Sequence, residues 1–232
     1  MEVIKQSYKI IKFPEEALKD IEIAGRTCYK SQDKITDDSA IGFSERLINR
    51  KHLPMIEFAD VTVRFITDRG VTHELVRHRL CSFAQESTRY VNYKEGMEVI
   101  LPVEFSEVYA SRYVHKNDCI YVKGVKELQE SNDNLKFVIW RNLMNSSESS
   151  YKDMLKLGCK PQLVRAVLPN SLKTEIVVKA SLREWRHIFN MRCAKSAHPQ
   201  IRALMLPLLD ELSQRIPIIF DDLKEKYICP TD

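Results

Sequence analysis

The order of helix and strand patterns constrains the fold of this chain most strongly, because it shows no regular β-α-β alternation. Residues 57–67 alternate apolar and polar side chains as a half-buried strand does, with Val61, Val63 and Phe65 on one face. Parallel doubly wound sheets need strands and helices that alternate regularly along the chain. The sequence therefore predicts an α+β fold, with a mixed or antiparallel sheet flanked by helices.

The remaining periodicity predicts the other elements and a single domain. Strands are expected at 2–13, 87–93 and 174–180, and helices at 14–30, 37–50, 71–82, most of 120–157 with a break at 130–134, 161–168, 182–194 and 199–214. No repeat, low-complexity tract or glycine/serine linker interrupts the chain. Residues 1–232 are therefore expected to form one domain.

Glycine content and charge limit the kinds of ligand that the chain could bind. With 6 glycines it contains neither a G-x-G-x-x-G nor a G-x-x-x-x-G-K motif, so side chains or helix N-termini would have to hold any phosphate. The net charge is +4 without lysine or arginine runs, a balance that suits small anionic ligands at least as well as nucleic acid.

The cysteines and the hydrophobic pattern predict a cytoplasmic protein. The 6 cysteines are widely spaced and form no C-x-x-C pair, and the N-terminus does not resemble a signal peptide. They are therefore expected to be reduced thiols, as is usual in the cytosol. No run of 18 apolar residues is present, so no membrane partner is expected.

One polar segment, RHRLCSFAQESTRY at 77–90, concentrates the groups that bind nucleotides. On the helix predicted at 71–82, Glu74, Arg77 and His78 share a face. Arg79 would point about 200° away from Arg77. The two arginines would then serve two ligands, or two sites built with different subunits.

The second half of this segment adds more polar groups. Amide, carboxylate, hydroxyl, guanidinium and phenol groups follow within six residues, on Gln85, Glu86, Ser87, Arg89 and Tyr90. Arginine binds phosphate through a planar fork, and serine adds a short donor. Such a cluster suits a nucleotide better than an apolar metabolite.

The helix predicted at 182–194 places an arginine on its apolar face. At 100° per residue, Trp185, Ile188 and Phe189 form a stripe into which Arg192 falls. The opposite face carries Arg183, His187 and Asn190. A buried arginine needs a partner, which could be a ligand anion or carbonyl, or an internal carboxylate.

These segments together resemble the flavin-dependent thymidylate synthase family. R-H-R followed after seven residues by serine, and then S-x-R-Y, is similar to the family signature. GCKPQLVRAVLP at 158–169 resembles its G-x-x-x-E-x-A-R-x-x-L-P, and SLREWRHIFNMR at 181–192 resembles its N-x-R-x-W-R-H-x-x-x-x-R. His52 stands where the family has a histidine before a short apolar-acidic stretch. The similarity spans roughly residues 50–202.

The resemblance implies the thymidylate synthase-complementing fold and the methylation of dUMP to dTMP. It implies FAD as cofactor, NADPH and methylenetetrahydrofolate as co-substrates, a homotetramer with shared active sites, and no metal ion. Arg192 matches a catalytic arginine beside the uracil ring. The implied FAD-binding residues are His52, Arg77, His78, Arg79, Gln85, Ser181, Arg183 and His187. The implied dUMP-binding residues are Glu74, Arg77, Gln85, Glu86, Ser87, Thr88, Arg89, Arg165 and Arg192.

Four residues depart from the family pattern. Glu74 stands in place of glutamine and Gln85 in place of glutamate, and these reciprocal changes would compensate if both side chains lie near the same ligand edge. Gln162 replaces a glutamate beside Arg165, and Ser181 replaces an asparagine expected near the flavin.

Two alternatives of other classes remain open. A nucleic-acid-binding protein would place four cations on phosphates, namely Arg77, Arg79, Arg89 and Lys94. A metal hydrolase would use three histidines, His52, His73 and His78, although two of these are five residues apart, which is poor helical spacing for shared ligation.

Overall fold

The structure is a computed structural model that describes residues 1–106, 113–116, 119–122 and 132–229. The chain divides into two compact units. Unit 1 comprises Met1–Gln6, Thr67–Thr72 and Glu86–Thr174, and unit 2 comprises Ser7–Ile66, His73–Gln85 and Glu175–Asp232. In the part of the chain that the structure describes, no helix is both long and apolar enough to cross a membrane.

The strands form a mixed arrangement, which confirms the predicted α+β class. They are β1 (Glu2–Ile4), β2 (Ser7–Lys12), β3 (Asp60–Asp68), β4 (Ser82–Gln85), β5 (Glu98–Ile100), β6 (Tyr113–Lys116), β7 (Cys119–Val122) and β8 (Lys173–Ser181). One sheet has the order β2-β3-β8-β4, with β2 antiparallel to β3 and β4 antiparallel to β8. The pair β1 and β5 is parallel, and the pair β6 and β7 is antiparallel.

The helices agree with most of the predicted segments. They are α1 (Ala17–Tyr29), α2 (Ser39–Asn49), α3 (Arg69–Leu75), α4 (Asn132–Lys156), α5 (Pro161–Val164), α6 (Leu182–Arg192), α7 (Pro199–Arg215) and α8 (Pro217–Tyr227). Short 3-10 helices lie at Gln32–Lys34, Leu53–Phe58, Val103–Phe105 and Arg165–Val167. No helix was predicted at α8, although a proline at its first turn is a recognised start signal.

The helix predicted at 71–82 is wrong in its second half, because α3 ends at Leu75. Leu75 is fully buried, whereas Val76 and Leu80 are exposed, so no apolar face continues the helix. The next amides instead form i→i−3 turns, His78 N donating to Leu75 O at 3.0 Å and Cys81 N to His78 O at 3.2 Å. The chain then straightens to pair with β8 as strand β4. The R-H-R residues therefore lie in a turn.

Two further predictions of secondary structure are wrong, because local interactions favour another conformation. Residues 87–93 form turns rather than a strand, because the Ser87 carbonyl accepts from the amides of Tyr90 and Val91. Asn92 Oδ1 similarly accepts from the Lys94 amide at 2.9 Å, a local bond that competes with strand pairing. Within the helical stretch predicted at 120–157, the segment CIYV instead forms β7, as its β-branched and aromatic residues favour.

An aromatic core in unit 2 supports α6. The ring of Trp185 packs against Phe65 of β3 at 6.3 Å and against Phe189 at 5.8 Å, measured between centroids. Phe189 packs in turn against Phe220 of α8 at 5.8 Å. Trp185 Nε1 donates to the Val61 carbonyl at 3.1 Å, so this buried indole N–H is satisfied. These contacts fix the buried face of α6 and leave its other face free to line a site.

Unit 1 has a separate core around α4. Tyr93 and Tyr151 meet edge to face at 5.8 Å, beside the fully buried Val99 and Leu172. Trp140 Nε1 donates to Ser171 Oγ at 3.1 Å within the same unit. This core holds the segment that begins at Glu86.

Candidate active site

Unit 2 contains an open cleft of about 740 Å³ between the turn at 77–80 and the exposed face of α6. This volume lies within the range of small-molecule sites, roughly 300–1,000 Å³. Arg183, His187 and Asn190 line the cleft, whereas Trp185, Ile188 and Phe189 are buried as predicted. Arg192 was expected within that apolar stripe, but it lines the same cleft as the three polar residues. The cleft is rich in cationic donors and therefore suits an anionic ligand.

Arg192 lies at one end of this cleft in a network of three hydrogen bonds. Its Nε donates to His78 Nε2 at 3.0 Å, and its Nη1 donates to the Glu74 carboxylate at 2.5 Å. Its Nη2 donates to the Glu74 carbonyl at 3.1 Å. Because a guanidinium has five N–H donors, two remain for a ligand. The internal carboxylate that the sequence left open as a partner is Glu74.

His78 is a neutral imidazole held in one tautomer. Its side chain is almost fully buried, and this burial together with the Arg192 and His187 charges lowers its pKa to about 4. Since Arg192 can only donate, His78 Nε2 must carry the lone pair and Nδ1 the proton. The Nδ1 atom lies 3.7 Å from the Glu184 carboxylate. His78 Nδ1 therefore lies near a buried acid, at a distance longer than a hydrogen bond.

Glu184 is a buried carboxylate between two histidines. Burial raises its pKa, while the neighbouring His187 and Arg183 act in the opposite direction. The rings of His78 and His187 meet edge to face at 5.7 Å. Among the described residues these three form the one group whose atoms could converge on a metal ion, within 4.8 Å of one another. A cation at His78 Nδ1 would have to displace the proton that the Arg192 bond places there.

The three-histidine alternative is not supported by this arrangement. His52 and His73 are both exposed. Neither belongs to the group of potential ligands that contains His78, as far as the described residues show. The histidines of the sequence-based metal hypothesis are therefore not brought together.

The five arginines that line the cleft differ in whether they are already paired. Arg183 Nη1 donates to Glu57 at 2.6 Å, and Arg186 makes a bidentate pair with Asp222 at 2.7 and 2.6 Å. Arg192 is paired with Glu74 as described above. By contrast, Arg77 and Arg79 are exposed and have no ion pair with any residue that the structure describes.

This geometry corrects one inference from the sequence. Arg77 and Arg79 were expected to point in opposite directions from a regular helix. Because α3 ends at Leu75, both lie in the following turn and line the same cleft. They can therefore contact a single ligand.

A smaller cavity of about 300 Å³ adjoins the start of α6 and is lined by Glu57, Leu80, Ser181, Arg183 and Glu184. Ser181 is the N-cap of α6, and its Oγ accepts from the Glu184 amide at 3.3 Å. Asparagine caps helices about as well as serine, so the family's asparagine would perform the same structural role.

Known proteins resemble this chain over most of its length. The family model described as "Thymidylate synthase complementing protein" matches residues 9–218. The flavin-dependent thymidylate synthase of Corynebacterium efficiens is 34% identical over 217 residues, covering 90% of this chain and 80% of that protein. Its counterpart in Mycobacterium tuberculosis is 32% identical over 212 residues, covering 88% and 78%. This chain belongs to the flavin-dependent thymidylate synthase family.

A solved structure shows the same fold at lower identity. The crystal structure of a UMP/dUMP methylase, PolB from Streptomyces cacaoi, bound with 5-Br dUMP, matches with a TM-score of 0.74 and 20% identity. The match covers 98% of each chain. It supports the fold of this flavin-dependent thymidylate synthase family member.

The segment that resembles the family signature continues from unit 2 into unit 1, where several site residues predicted from the sequence lie. Glu86 accepts from the Tyr93 hydroxyl at 2.9 Å and lies 3.6 Å from Lys173 Nζ. Ser87 Oγ accepts from the Arg89 amide at 3.3 Å, so it shapes a turn. The other two differ in burial: Thr88 is buried and Arg165 is exposed.

The remaining predicted residues of unit 2 are Gln85, which ends β4 opposite Ile176, and His52, which precedes the 3-10 helix at Leu53–Phe58. The residues predicted to bind ligands remain predictions, and so does the compensation between Glu74 and Gln85. Burial raises the pKa of the Cys81 thiol to about 12, which argues against a nucleophile.

Two charged residues of the cleft were missing from the site predicted from the sequence. Glu184 was detectable as the fourth residue of an S-x-x-E capping pattern, although its carboxylate faces the histidines. Arg186 matches the arginine of the family's W-R-H motif, but its pairing with Asp222 could not be foreseen, because Asp222 lies in a helix that was not predicted.

Proposed function

We propose that this protein methylates dUMP to dTMP, with FAD as cofactor, methylenetetrahydrofolate as one-carbon donor and NADPH as reductant. The names of its relatives support this reaction. The observation that carries the proposal is the cleft that contains Arg77 and Arg79, which have no ion pair among the described residues, together with the Arg192–Glu74–His78 network. Nucleic acid, metal ions and membranes are not part of the proposal.

The donor groups of the cleft suit a flavin dinucleotide. Arg77 and Arg79 would bind its phosphates, because a guanidinium without a carboxylate partner does not have to exchange one anion for another. Arg183, His187 and the neutral His78 would contact the rest of the cofactor, with His52, Gln85 and Ser181 completing the set that the family motif suggests. The flavin would supply the hydride and carry the one-carbon unit.

Arg192 is proposed as the catalytic residue. Its two remaining N–H donors would bind the carbonyl edge of uracil and stabilise negative charge that develops there, which increases electron density at the ring carbon that is methylated. His78 and Glu74 would hold the guanidinium in place, so little reorganisation is needed during the reaction. Glu74 also offsets part of the positive charge.

The family resemblance supplies the other proposed dUMP contacts. Glu86, Ser87, Thr88, Arg89 and Arg165 are the proposed dUMP contacts. Of these, Arg89 and Arg165 would bind phosphate through their planar guanidinium groups.

A homotetramer is proposed as the active assembly. Support comes from α4, on which Leu135, Ile139 and Leu143 are 56%, 61% and 63% exposed at a spacing of four residues. These side chains form one apolar helix face that is exposed in the part of the chain that the structure describes. Light scattering coupled to size-exclusion chromatography measures the assembly.

The function is tested by the visible absorbance of oxidised flavin in the purified protein, followed by a dTMP assay with single omission of dUMP, methylenetetrahydrofolate or NADPH. We expect a yellow protein and dTMP formation that requires all three. A colourless protein that takes up no FAD and instead binds DNA in a strongly salt-dependent manner would support the nucleic-acid alternative.

A matched pair of variants tests the role of the unpaired arginines. Arg77→Gln is expected to weaken FAD binding by about tenfold or more, as loss of a charge-assisted hydrogen bond does. Arg183→Gln is expected to weaken it less, because Arg183 is already paired with Glu57. Equal affinities in the two variants, measured by quenching of flavin fluorescence, would contradict the assignment.

A further inference from the structure

Hydrogen bonds from α8 hold two residues of the helix that lines the cleft. Asp222 holds the guanidinium of Arg186 through two hydrogen bonds, of 2.7 and 2.6 Å, and the Ile219 carbonyl accepts a further bond from Arg186 Nη1. Tyr227 Oη donates to Asn190, 3.1 Å from its backbone carbonyl and 2.9 Å from its Oδ1. Arg186 and Asn190 line the cleft, whereas Asp222 and Tyr227 do not.

We propose that α8 is a positioning element for the cleft, in which Asp222 and Tyr227 set the affinity for the anionic ligand by fixing Arg186 and Asn190. The inference rests on the proposed function where it names that ligand as FAD. The family match ends at residue 218, so most of α8 lies outside it.

The Arg186–Asp222 pair has the geometry of a fixed support. The Arg186 side chain is 10% exposed, and its two terminal nitrogens are occupied by Asp222 and Ile219. An arginine in this position cannot turn freely into the cleft. Removal of the Asp222 charge would leave a nearly buried cation without its partner, which favours displacement of the side chain from the cleft wall towards solvent.

The amide of Asn190 is oriented by bonds at both of its ends. Its Oδ1 accepts from Tyr227 Oη and from Lys226 Nζ, the latter at 3.1 Å. Its Nδ2 donates to the Arg186 carbonyl at 3.0 Å. One amide N–H therefore remains for a ligand in the cleft. Loss of the Tyr227 hydroxyl would remove one of the two donors that fix this orientation.

The test compares FAD dissociation constants of two positioning variants with those of matched controls. The positioning variants are Asp222→Asn and Tyr227→Phe. Tyr8→Phe removes a similar hydroxyl-to-carbonyl bond, to Pro207 at 3.0 Å, and Lys224→Met removes another α8 side chain that pairs with Asp210 at 2.7 Å. Neither control residue lines the cleft.

We expect both positioning variants to bind FAD about three- to tenfold more weakly than the controls, which corresponds to the loss of one hydrogen bond. At saturating FAD the kcat for dTMP formation should be unchanged, and Asp222→Glu should recover part of the affinity. Thermal unfolding of the FAD-free proteins identifies a general loss of stability. FAD affinities equal to those of the controls would overturn the proposal. So would a loss of FAD affinity that is fully accounted for by a lower unfolding temperature.

A second measurement separates this inference from the proposed function. Hydrogen exchange of amides 186–192 in the FAD-free protein should be faster in Asp222→Asn and Tyr227→Phe than in the two controls. If the wild-type protein binds no FAD, the proposed function fails while this readout still tests the positioning. Unchanged exchange in both variants would overturn the positioning itself.

Discussion

Acid is expected to destabilise the protein through His78, and the size of the effect follows from its surroundings. The side chain is 4% exposed, and burial together with the Arg192 and His187 charges lowers its pKa from 6.5 to about 4. Protonation of His78 would place a second cation beside Arg192 Nε, which now donates to the ring. His78 therefore has a lower proton affinity in the folded protein than in the unfolded chain.

The sign and magnitude follow from linkage. Between pH 6.5 and about 4 the unfolded state binds more protons at this site, so stability falls as the pH falls through this range. A shift from 6.5 to about 4 corresponds to about 3 kcal/mol, fully present above pH 6.5 and lost as the pH drops towards the folded-state pKa. Such a loss is a large fraction of the stability of an ordinary domain.

Urea denaturation between pH 7 and pH 4, on the wild type and on His78→Gln, measures this contribution. Glutamine keeps an acceptor for Arg192 but does not titrate. Glu184, whose raised pKa gives it the opposite pH dependence, remains in both proteins and therefore largely cancels in the difference. The wild type should lose about 3 kcal/mol more than the variant over this range.

Two results would refute this reasoning. One is an identical pH dependence of the unfolding free energy in the wild type and in His78→Gln. The other is an NMR titration in which the His78 ring takes up a proton near its ordinary pKa. Either result would mean that the ring is hydrated or that Arg192 does not donate to it.

Four further predictions concern the cleft and its support. Arg192→Ala should abolish dTMP formation while FAD remains bound, as the dTMP assay and flavin absorbance measure; normal turnover would contradict the catalytic assignment. Ser181→Ala should lower the free energy of unfolding, measured by urea denaturation, by about 1 kcal/mol. Ser181→Asn should lower it much less, because serine and asparagine both cap helices. Phe65→Ala should cost about 3–5 kcal/mol by the same measurement, because the ring is fully buried against Trp185. Arg64→Gln should cost under about 1 kcal/mol, since its pair with Glu175 is partly exposed; a larger loss would show that the pair is more important than its exposure suggests.

Residues whose burial decides their structure were predictable from the sequence. Val61, Val63 and Phe65 alternate in the sequence and are fully buried in β3. The stripe of Trp185 and Phe189 likewise predicted which face of α6 packs inwards. Periodic burial is the signal that these predictions used, and long periodic segments carry it most strongly.

The R-H-R turn could not be predicted in the same way. Periodicity allowed a helix through Arg77, but the end of α3 depends on the pairing of β4 with β8, a contact between residues distant in sequence. The partner of Arg192 was equally hidden, because Glu74 is separated from it by 118 positions. Sequence motifs supplied candidate residues for the site, whereas tertiary contacts decided which charges are paired.

The pairing of charges gives the cleft its proposed division of roles. Arg183, Arg186 and Arg192 each have a carboxylate partner, so their guanidinium groups are held in place and their net charge is reduced. Arg77 and Arg79 combine exposure with the absence of an ion pair among the described residues, and so retain their charge for a ligand. If all five were unpaired, their mutual repulsion would oppose folding of the cleft before any ligand bound. The three carboxylates thus reduce the repulsion between the arginines of the free protein. The attraction for anions is then strongest at the turn at 77–80, where Arg77 and Arg79 have no ion pair among the described residues.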